Sequence, residues 1–252
     1  MFRTKRGYFP LLTGISAVLF SLIALAPSQM TMVGLCGKVD PALLWQILRL
    51  QVAVLSPVSV FIAWALMVGA MMLPLIAREM DHVRQLVRRS AVPLALTGFV
   101  LGYLSIWVLS GIYSLPLALG LTLGFPSESG ARYAALGLSI LLALVWSGSP
   151  LAQLARNRCH KPALIGFGGL RPLWGSAKFG LRIGVYCHLT CWPWMIVPFL
   201  VPDFHVTAMV IVTVVIFADR MSIPRVPAWQ WPPVFEAFAS AWPFRSTPQL
   251  GR

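Results

Sequence analysis

Long apolar runs alternate with short polar segments along the chain. Six runs approach the ~20 residues that a helix needs to cross the hydrocarbon core of a bilayer. They predict spans at about 9–27, 55–77, 91–115, 132–153, 179–201 and 204–219. The end of the third run, Ser114 to Gly124, is expected to leave the membrane as a loop or short interfacial helix. The pattern therefore predicts an all-α fold, a polytopic transmembrane helix bundle with about six spans.

Composition supports a membrane protein. Of the 252 residues, 58% are hydrophobic and 11% are charged, and the mean hydropathy is +0.79. A soluble domain of this size needs more charge to cover its surface. The N-terminus has the basic start and apolar core of a signal peptide. Because its apolar part reaches spanning length, we expect an uncleaved first span rather than a cleaved leader.

The net charge of +13 comes mainly from Lys and Arg at the ends of the apolar runs. These residues concentrate in every second loop, so the positive-inside rule places both termini in the cytoplasm. We expect a multi-pass protein of the bacterial inner (plasma) membrane, with the lipid bilayer as partner and no nucleic-acid partner. No basic face remains for nucleic acid once the loops are accounted for.

The chain divides into two parts by composition. Residues 1–220 form the predicted six-span membrane domain. Residues 221–252, called the tail below, are rich in Pro and Trp, including Trp229, Trp231 and Trp242. Because Trp favours the headgroup region of a bilayer, we expect the tail to be cytoplasmic or interfacial.

The sequence argues against several classes of enzyme and transporter, because the residues that those classes require are missing. All seven acidic residues fall in loops or at the ends of the predicted spans, whereas ion-coupled transporters keep an ionisable relay inside the bilayer. The sequence also has no nucleotide-binding loop and no Ser–His–Asp pattern at a familiar spacing. We predict no catalytic residues and no site for an organic cofactor. The sequence therefore favours a protein that is not an enzyme.

The fifth run contains soft metal ligands. In G-V-Y-C-H-L-T-C-W-P-W-M, Cys187, Cys191 and Met195 follow one another at i, i+4 and i+8. This spacing predicts that the three side chains stack along one helix face. Thiolate and thioether groups are soft donors that suit Cu(I). His188 lies between the two cysteines as a further candidate ligand.

A second group of soft ligands lies in the second run. Met67 and Met71 are four residues apart, and Met72 adjoins them. Since the second and fifth spans run in opposite directions, the methionines and the cysteines are predicted at similar depth on the cytoplasmic side. Cys159 and His160, near the cytoplasmic end of the fourth run, could complete this site or pass metal to it.

Each ligand also has an ordinary structural explanation. Buried Cys often behaves as a small hydrophobic residue, and Met commonly fills gaps in apolar helices. His188 could donate a hydrogen bond to a neighbouring carbonyl instead of binding metal. These readings stay open, but two soft clusters at one predicted depth favour a metal site.

Three motifs in this order resemble the bacterial family of predicted metal-binding integral membrane proteins, domain of unknown function 2182. The first, W-x-x-M-x-x-A-M-M-x-P, is complete from Trp64 to Pro74. The second, C-L-x-x-C-R-x-P, is present only in part, as Cys159 and Pro162. The third, G-x-Y-C-x-x-C-C-W-x-x-M, runs from Gly184 to Met195. The resemblance covers about residues 55–220 and implies metal binding rather than a reaction.

The sequence departs from these motifs at two cysteines. Ala155 and Thr190 stand where the family has Cys. The chain is then either a divergent member with a weaker site, in which His160 or His188 compensates, or a scaffold that has lost its metal.

Two functions follow from these alternatives. The first is an integral membrane protein that binds, stores or delivers copper as Cu(I). The second is a non-catalytic accessory subunit of a larger membrane complex, for which small residues such as those of Gly98–Tyr103 would supply an interface. A thiol-pair oxidoreductase and a small-solute permease have less support from the sequence.

Overall fold

The computed structural model describes residues 7–25, 57–124, 130–161, 170–233 and 235. The sequence-based assignments for residues 1–6, the first loop and the end of the tail lie outside these ranges. Within them the regular structure is helical. The α-helices are α1 (Phe9–Leu25), α2 (Pro57–Met72), α3 (Ala77–Leu86), α4 (Val92–Gly124), α5 (Gly130–Ser147), α6 (Pro150–Cys159), α7 (Arg171–Cys191) and α8 (His205–Arg220). Short 3₁₀ turns occupy Pro74–Ile76, Arg89–Ala91, Trp194–Leu200 and Pro202–Phe204.

The described helices support part of the predicted membrane architecture. Two of them, Arg89–Leu117 and Gly130–Ser147, are long and apolar enough to cross a membrane. The number rises to four if each of two bent helix pairs counts as one span. Helices lie at all six predicted runs, but α1 is a shorter apolar helix of 17 residues. The all-helical fold is confirmed for the described residues, and six spans and the orientation of the termini stay predictions.

Proline bends or breaks three of the predicted spans: the second at Pro74, the fourth at Pro150 and the fifth at Pro193. The second run bends by 47° between its α2 part and the segment that starts at Pro74. The fourth run was predicted as a span over about 132–153, and the structure divides it between two helices. α5 ends at Ser147, and α6 begins after Ser149, whose side chain accepts a hydrogen bond from the N–H of Ala152. Ser149 as N-cap and Pro150 in the first turn are a strong helix start, so the chain begins a new helix there.

The end of the third run also differs from the prediction. We expected Ser114 to Gly124 to leave the membrane as a loop or a short interfacial helix. Instead α4 continues without a break to Gly124, with Pro116 inside it. The stretch of this helix that is apolar and long enough to span a membrane ends at Leu117. The segment is therefore part of one long helix rather than a loop or a separate helix.

Glycines hold α4 and α7 together at the centre of the fold. A side chain at Gly98 or Gly102 would strike the backbone of Leu173 or Ala177, and one at Gly180 would strike the backbone of Phe99. The two helices therefore approach at backbone distance, as small residues four apart allow. The Gly98–Tyr103 segment, proposed from the sequence as a surface for a partner, is instead packed against α7 of the same chain.

The first part of the tail lies on the break between α5 and α6. The N–H of Gln230 donates to the carbonyl of Gly148 over 3.0 Å. The Asn157 side chain donates to the carbonyl of Arg225 and accepts from its N–H. The side chains of Trp229 and Trp231 remain exposed, at 69% and 79%. The backbone of the tail is thus held while its aromatic side chains face outward.

Candidate functional site

Cysteines from two helices meet at one small cavity, which we call the thiol pocket. Its described lining comprises Arg156, Cys159, His160, Cys187, Thr190, Ile216, Asp219 and Arg220. These residues come from the end of α6, the second half of α7 and the end of α8. Cys159 and Cys187 are both buried, at 5% and 1% exposure. The fold thus brings together two thiols that are far apart in the sequence.

Hydrogen bonds hold the Cys187 end of the pocket. The hydroxyl of Tyr103 donates to the Cys187 sulfur over 3.4 Å, and this bond depends on the close approach of α4 to α7. The Cys191 thiol donates to the carbonyl of Cys187 over 3.0 Å. Cys191 therefore lies one turn from Cys187 on the same helix, as the spacing predicted, and is within reach of the pocket.

The two positions that depart from the family motifs are both buried. Thr190 lines the thiol pocket, but its hydroxyl donates to the carbonyl of Cys187 over 2.7 Å. Ala155 is 4% exposed and lies one turn before Cys159 on α6. A cysteine at either position would stand next to the existing thiols. At these two positions the chain therefore lacks thiols that the family motifs would place close to the thiol pocket.

Two ion pairs flank the thiols. Arg156 and Asp219 are 3.0 Å apart, and both are buried. The other guanidinium nitrogen of Arg156 donates to Ser147 and Gln153. Arg220 and Glu79 are 2.6 Å apart and connect the end of α8 to α3. The pocket therefore places cationic groups beside the thiols while each cation keeps a carboxylate partner.

Burial and neighbouring charges shift the pKa values of Cys159 and His160. Burial raises the pKa of the Cys159 thiol to about 11, although the nearby Arg220 guanidinium acts in the opposite direction. Burial and the charge of Arg220 lower the pKa of His160. A neutral imidazole is the form that binds metal, so His160 is ready to coordinate, whereas Cys159 must lose a proton first.

Met195 and His188 lie outside the thiol pocket. α7 ends at Cys191, and the following Trp194–Leu200 turn bends away from it by 58°. The predicted stack of Cys187, Cys191 and Met195 therefore stops after two members, since Pro193 cannot continue the helical hydrogen bonds.

His188 and Met195 instead line a separate small cavity. Its walls are largely aromatic and include Trp64, Trp107 and Tyr113. The Tyr113 hydroxyl contacts Nε2 of His188, while Nδ1 of His188 is buried without a hydrogen-bond partner among the described residues. This places the two candidate ligands in a different cavity from Cys187.

The methionines of α2 share the core with the cysteines but do not reach the thiol pocket. Met67, Met71 and Met72 are at most 5% exposed and belong to the same buried cluster as Cys187 and Cys191. However, α2 packs on α1, α4 and α8, whereas α7 packs mainly on α4 and α6. None of the three methionines lines the thiol pocket. Their predicted role as ligands stays a prediction.

The thiols and the imidazole that line the thiol pocket limit which metal could bind there. Within the described ranges, no three or more His, Cys, Asp or Glu side chains are placed to hold a metal ion together. The thiol pocket nevertheless offers two thiols and one imidazole around one space, and Cu(I) prefers such soft and intermediate donors. A low-coordinate Cu(I) ion fits this donor set better than a metal that needs four or six ligands.

The sequence analysis missed the charged residues of the site. Arg156 and Arg220 were interpreted as signals of membrane orientation, and Glu79 and Asp219 as loop or end residues. A charge near a long apolar run is costly unless it is paired. The presence of both signs next to such runs was therefore the signal that could have predicted buried ion pairs.

Comparison with known protein families places the chain in a described family. A family model described as "PpoB2: Copper chaperone" matches residues 61–242. No curated protein and no solved structure matches the chain. The matched region contains the α4–α7 crossing and all the residues of the thiol pocket.

Proposed function

Since the chain belongs to the PpoB2 copper-chaperone family, we propose that it binds copper as Cu(I) in the thiol pocket and delivers or stores it at a membrane. The observation that carries this proposal is the meeting of Cys159, His160 and Cys187 at one buried cavity. The motif resemblance to domain of unknown function 2182 supports the membrane part of the proposal. The two to four helices of spanning length and composition are compatible with it.

The proposed ligands are ranked by their place in the fold. Cys187 and Cys159 face the cavity directly, His160 lies beside Cys159, and Cys191 is one turn away on α7. In this proposal Met67, Met71 and Met72 shape the core near the site, and Met195 and His188 serve a separate cavity. Cys159 therefore ranks ahead of the methionines as a proposed ligand.

The binding mechanism follows from the charges of the pocket. Two thiolates and one Cu(I) ion carry a net charge of −1, which is unfavourable in a buried site without a cation. The Arg220 guanidinium lies beside both thiols and supplies that charge. Each thiol gives up its proton when copper binds, and the ion is held in a setting with little water, where its attraction to the thiolates is strong.

Metal content tests the proposal. The protein is extracted gently, supplied with Cu(I), desalted, and analysed by mass spectrometry for bound metal and for accompanying proteins. We expect near-stoichiometric copper in the wild type and at least a tenfold loss of affinity in Cys187→Ser/Cys191→Ser, since thiolates dominate Cu(I) binding. Cys36→Ser is the control because Cys36 is the cysteine outside the matched region.

The contrary outcome is informative as well. If the wild type holds no copper and a second protein accompanies it in constant ratio, the accessory-subunit function replaces this one. If copper is bound but survives in Cys187→Ser/Cys191→Ser, the thiol pocket is not the site.

A further inference from the structure

A second cavity lies directly beside the thiol pocket. It has a volume of about 270 Å³, and its wall includes Phe9, Glu79, Phe217 and Met221. We call it the access cavity. Arg78 also lines it and is exposed, and Met221 is 51% exposed. In the part of the chain that the structure describes, the access cavity therefore opens at the surface between α3 and the end of α8.

The two cavities share part of their walls. His160 and Arg220 line both the access cavity and the thiol pocket. Among the described lining residues they are the pair common to both. The thiols of Cys159 and Cys187 are thus separated from the access cavity by one layer of side chains.

An ion pair holds this layer in place. Arg220 is fixed by Glu79, and the two side chains are only 11% and 14% exposed. The second carboxylate oxygen of Glu79, Oε2, is buried and has no hydrogen-bond partner within the described ranges. Arg220 already lines the thiol pocket beside the thiols, so a rotation of Glu79 into the access cavity would free the charge of its guanidinium for them and would open the wall.

Among the described residues, packed side chains cover other sides of the thiol pocket. Tyr103, whose hydroxyl contacts the Cys187 sulfur, is 0% exposed. The Arg156–Asp219 ion pair is also buried. The cavity that contains His188 and Met195 has no described lining residue in common with the thiol pocket.

We propose that the access cavity is the route by which Cu(I) enters and leaves the thiol pocket, and that the Glu79–Arg220 ion pair is its gate. The nature of the ion rests on the proposed copper function, whereas the route to the thiols rests on the geometry. The cavity offers the oxygen donors of Glu79 and Asp81 and the imidazole of His160. Cu(I) prefers thiolates to these groups, so copper is drawn inward from weaker to stronger donors.

The gate also accounts for the position of Arg220. In the empty site its charge is balanced by Glu79, and in the loaded site it can balance the copper–thiolate group instead. Copper binding and the Glu79 carboxylate therefore compete for one guanidinium. Loading weakens the contact between α8 and α3, which releases Glu79 into the access cavity.

Thiol accessibility tests the route without copper. Cys159 and Cys187 are labelled with small methanethiosulfonate reagents, one cationic and one anionic, and the rates are followed by mass spectrometry of the labelled peptides. Met221→Trp adds bulk at the mouth of the access cavity, at an exposed position that tolerates change. We expect it to slow both reagents several-fold. Asp203→Asn is the control, since Asp203 is exposed and lines none of the three cavities described above.

The charge of the gate is tested by Glu79→Gln. This variant leaves Arg220 without its carboxylate partner and makes the route more positive. We expect the ratio of anionic to cationic labelling rates to rise by about tenfold, and less at high salt. An unchanged ratio would overturn the gate. If Glu79→Gln fails to fold, the ratio is measured on Arg220→Gln, which is expected to shift it in the opposite direction.

Copper loading then separates the two proposals. Cu(I) supplied as its acetonitrile complex should load Met221→Trp several-fold more slowly than the wild type, to the same final stoichiometry. Labelling that responds to Met221→Trp in a protein that binds no copper would keep the route and reject the copper function. Copper binding and labelling that both ignore Met221→Trp would reject the route and keep the copper function.

Discussion

Among single residues, Cys159 contributes one proton to the pH dependence of copper binding in the proposed site. Its pKa of about 11 means that the thiol is protonated at neutral pH and releases its proton when copper binds. Copper affinity should therefore rise with pH, by up to about tenfold per pH unit for this one proton, until the pH nears 11. Cys159→Ser should lower the slope by one proton. A competition titration against a Cu(I) chelator between pH 6 and 9, roughly the stable range, measures it, and an equal slope in both proteins would remove Cys159 from the site.

The sequence predicted the thiols better than their surroundings. The spacing of Cys187 and Cys191 correctly placed them one turn apart. Cys159, which was predicted to complete a metal site or pass metal to it, lines the same cavity as Cys187, and its role as a ligand stays a prediction. Met195 was misplaced because the stack assumed an unbroken helix past Pro193. Arg220 and Glu79 could not be paired from the sequence, since the hydrogen bond between them joins residues 141 positions apart.

Among the helices, the α4–α7 crossing determines whether the site forms. Gly180→Ala would drive a methyl group into the backbone of Phe99, which cannot move aside cheaply. We expect a loss of roughly 1–3 kcal/mol of stability from overpacking, together with weaker copper binding as Tyr103 moves away from Cys187. Gly137→Ala is the matched control, because a side chain there meets nothing within 4 Å. Thermal unfolding midpoints in mild detergent compare the two, and equal midpoints would show that the crossing tolerates separation.

Hydropathy predicted where the helices lie but not where they break. Apolar runs report length and environment, and the fifth run continues across Pro193 without a change in composition. The break before α6 could have been predicted from Ser149 and Pro150, which form a helix start. The persistence of α4 through Pro116 could not, because it depends on how neighbouring turns accommodate the proline.

Across the whole molecule, ion pairs tie α8 to the rest of the described fold. Asp219→Asn leaves the buried Arg156 guanidinium without its counter-charge, and such a change costs about 3–5 kcal/mol. The double variant Arg156→Met/Asp219→Leu removes both charges and should recover most of that loss. Unfolding midpoints of the wild type, Asp219→Asn and the double variant form the test. A double variant no more stable than Asp219→Asn would show that packing, rather than the unpaired charge, causes the loss.

The order of these residues along the chain also sets an order of synthesis. Glu79 leaves the ribosome first, the thiols of Cys159 and Cys187 follow, and Arg220 comes after both. The Glu79–Arg220 gate of the proposed route therefore cannot form until α8 has been made and has docked against α3. A nascent chain that stops before α8 exposes its cysteines without this gate. In the proposed mechanism, the synthesis of α8, rather than the appearance of the ligands, decides when the pocket can first retain copper.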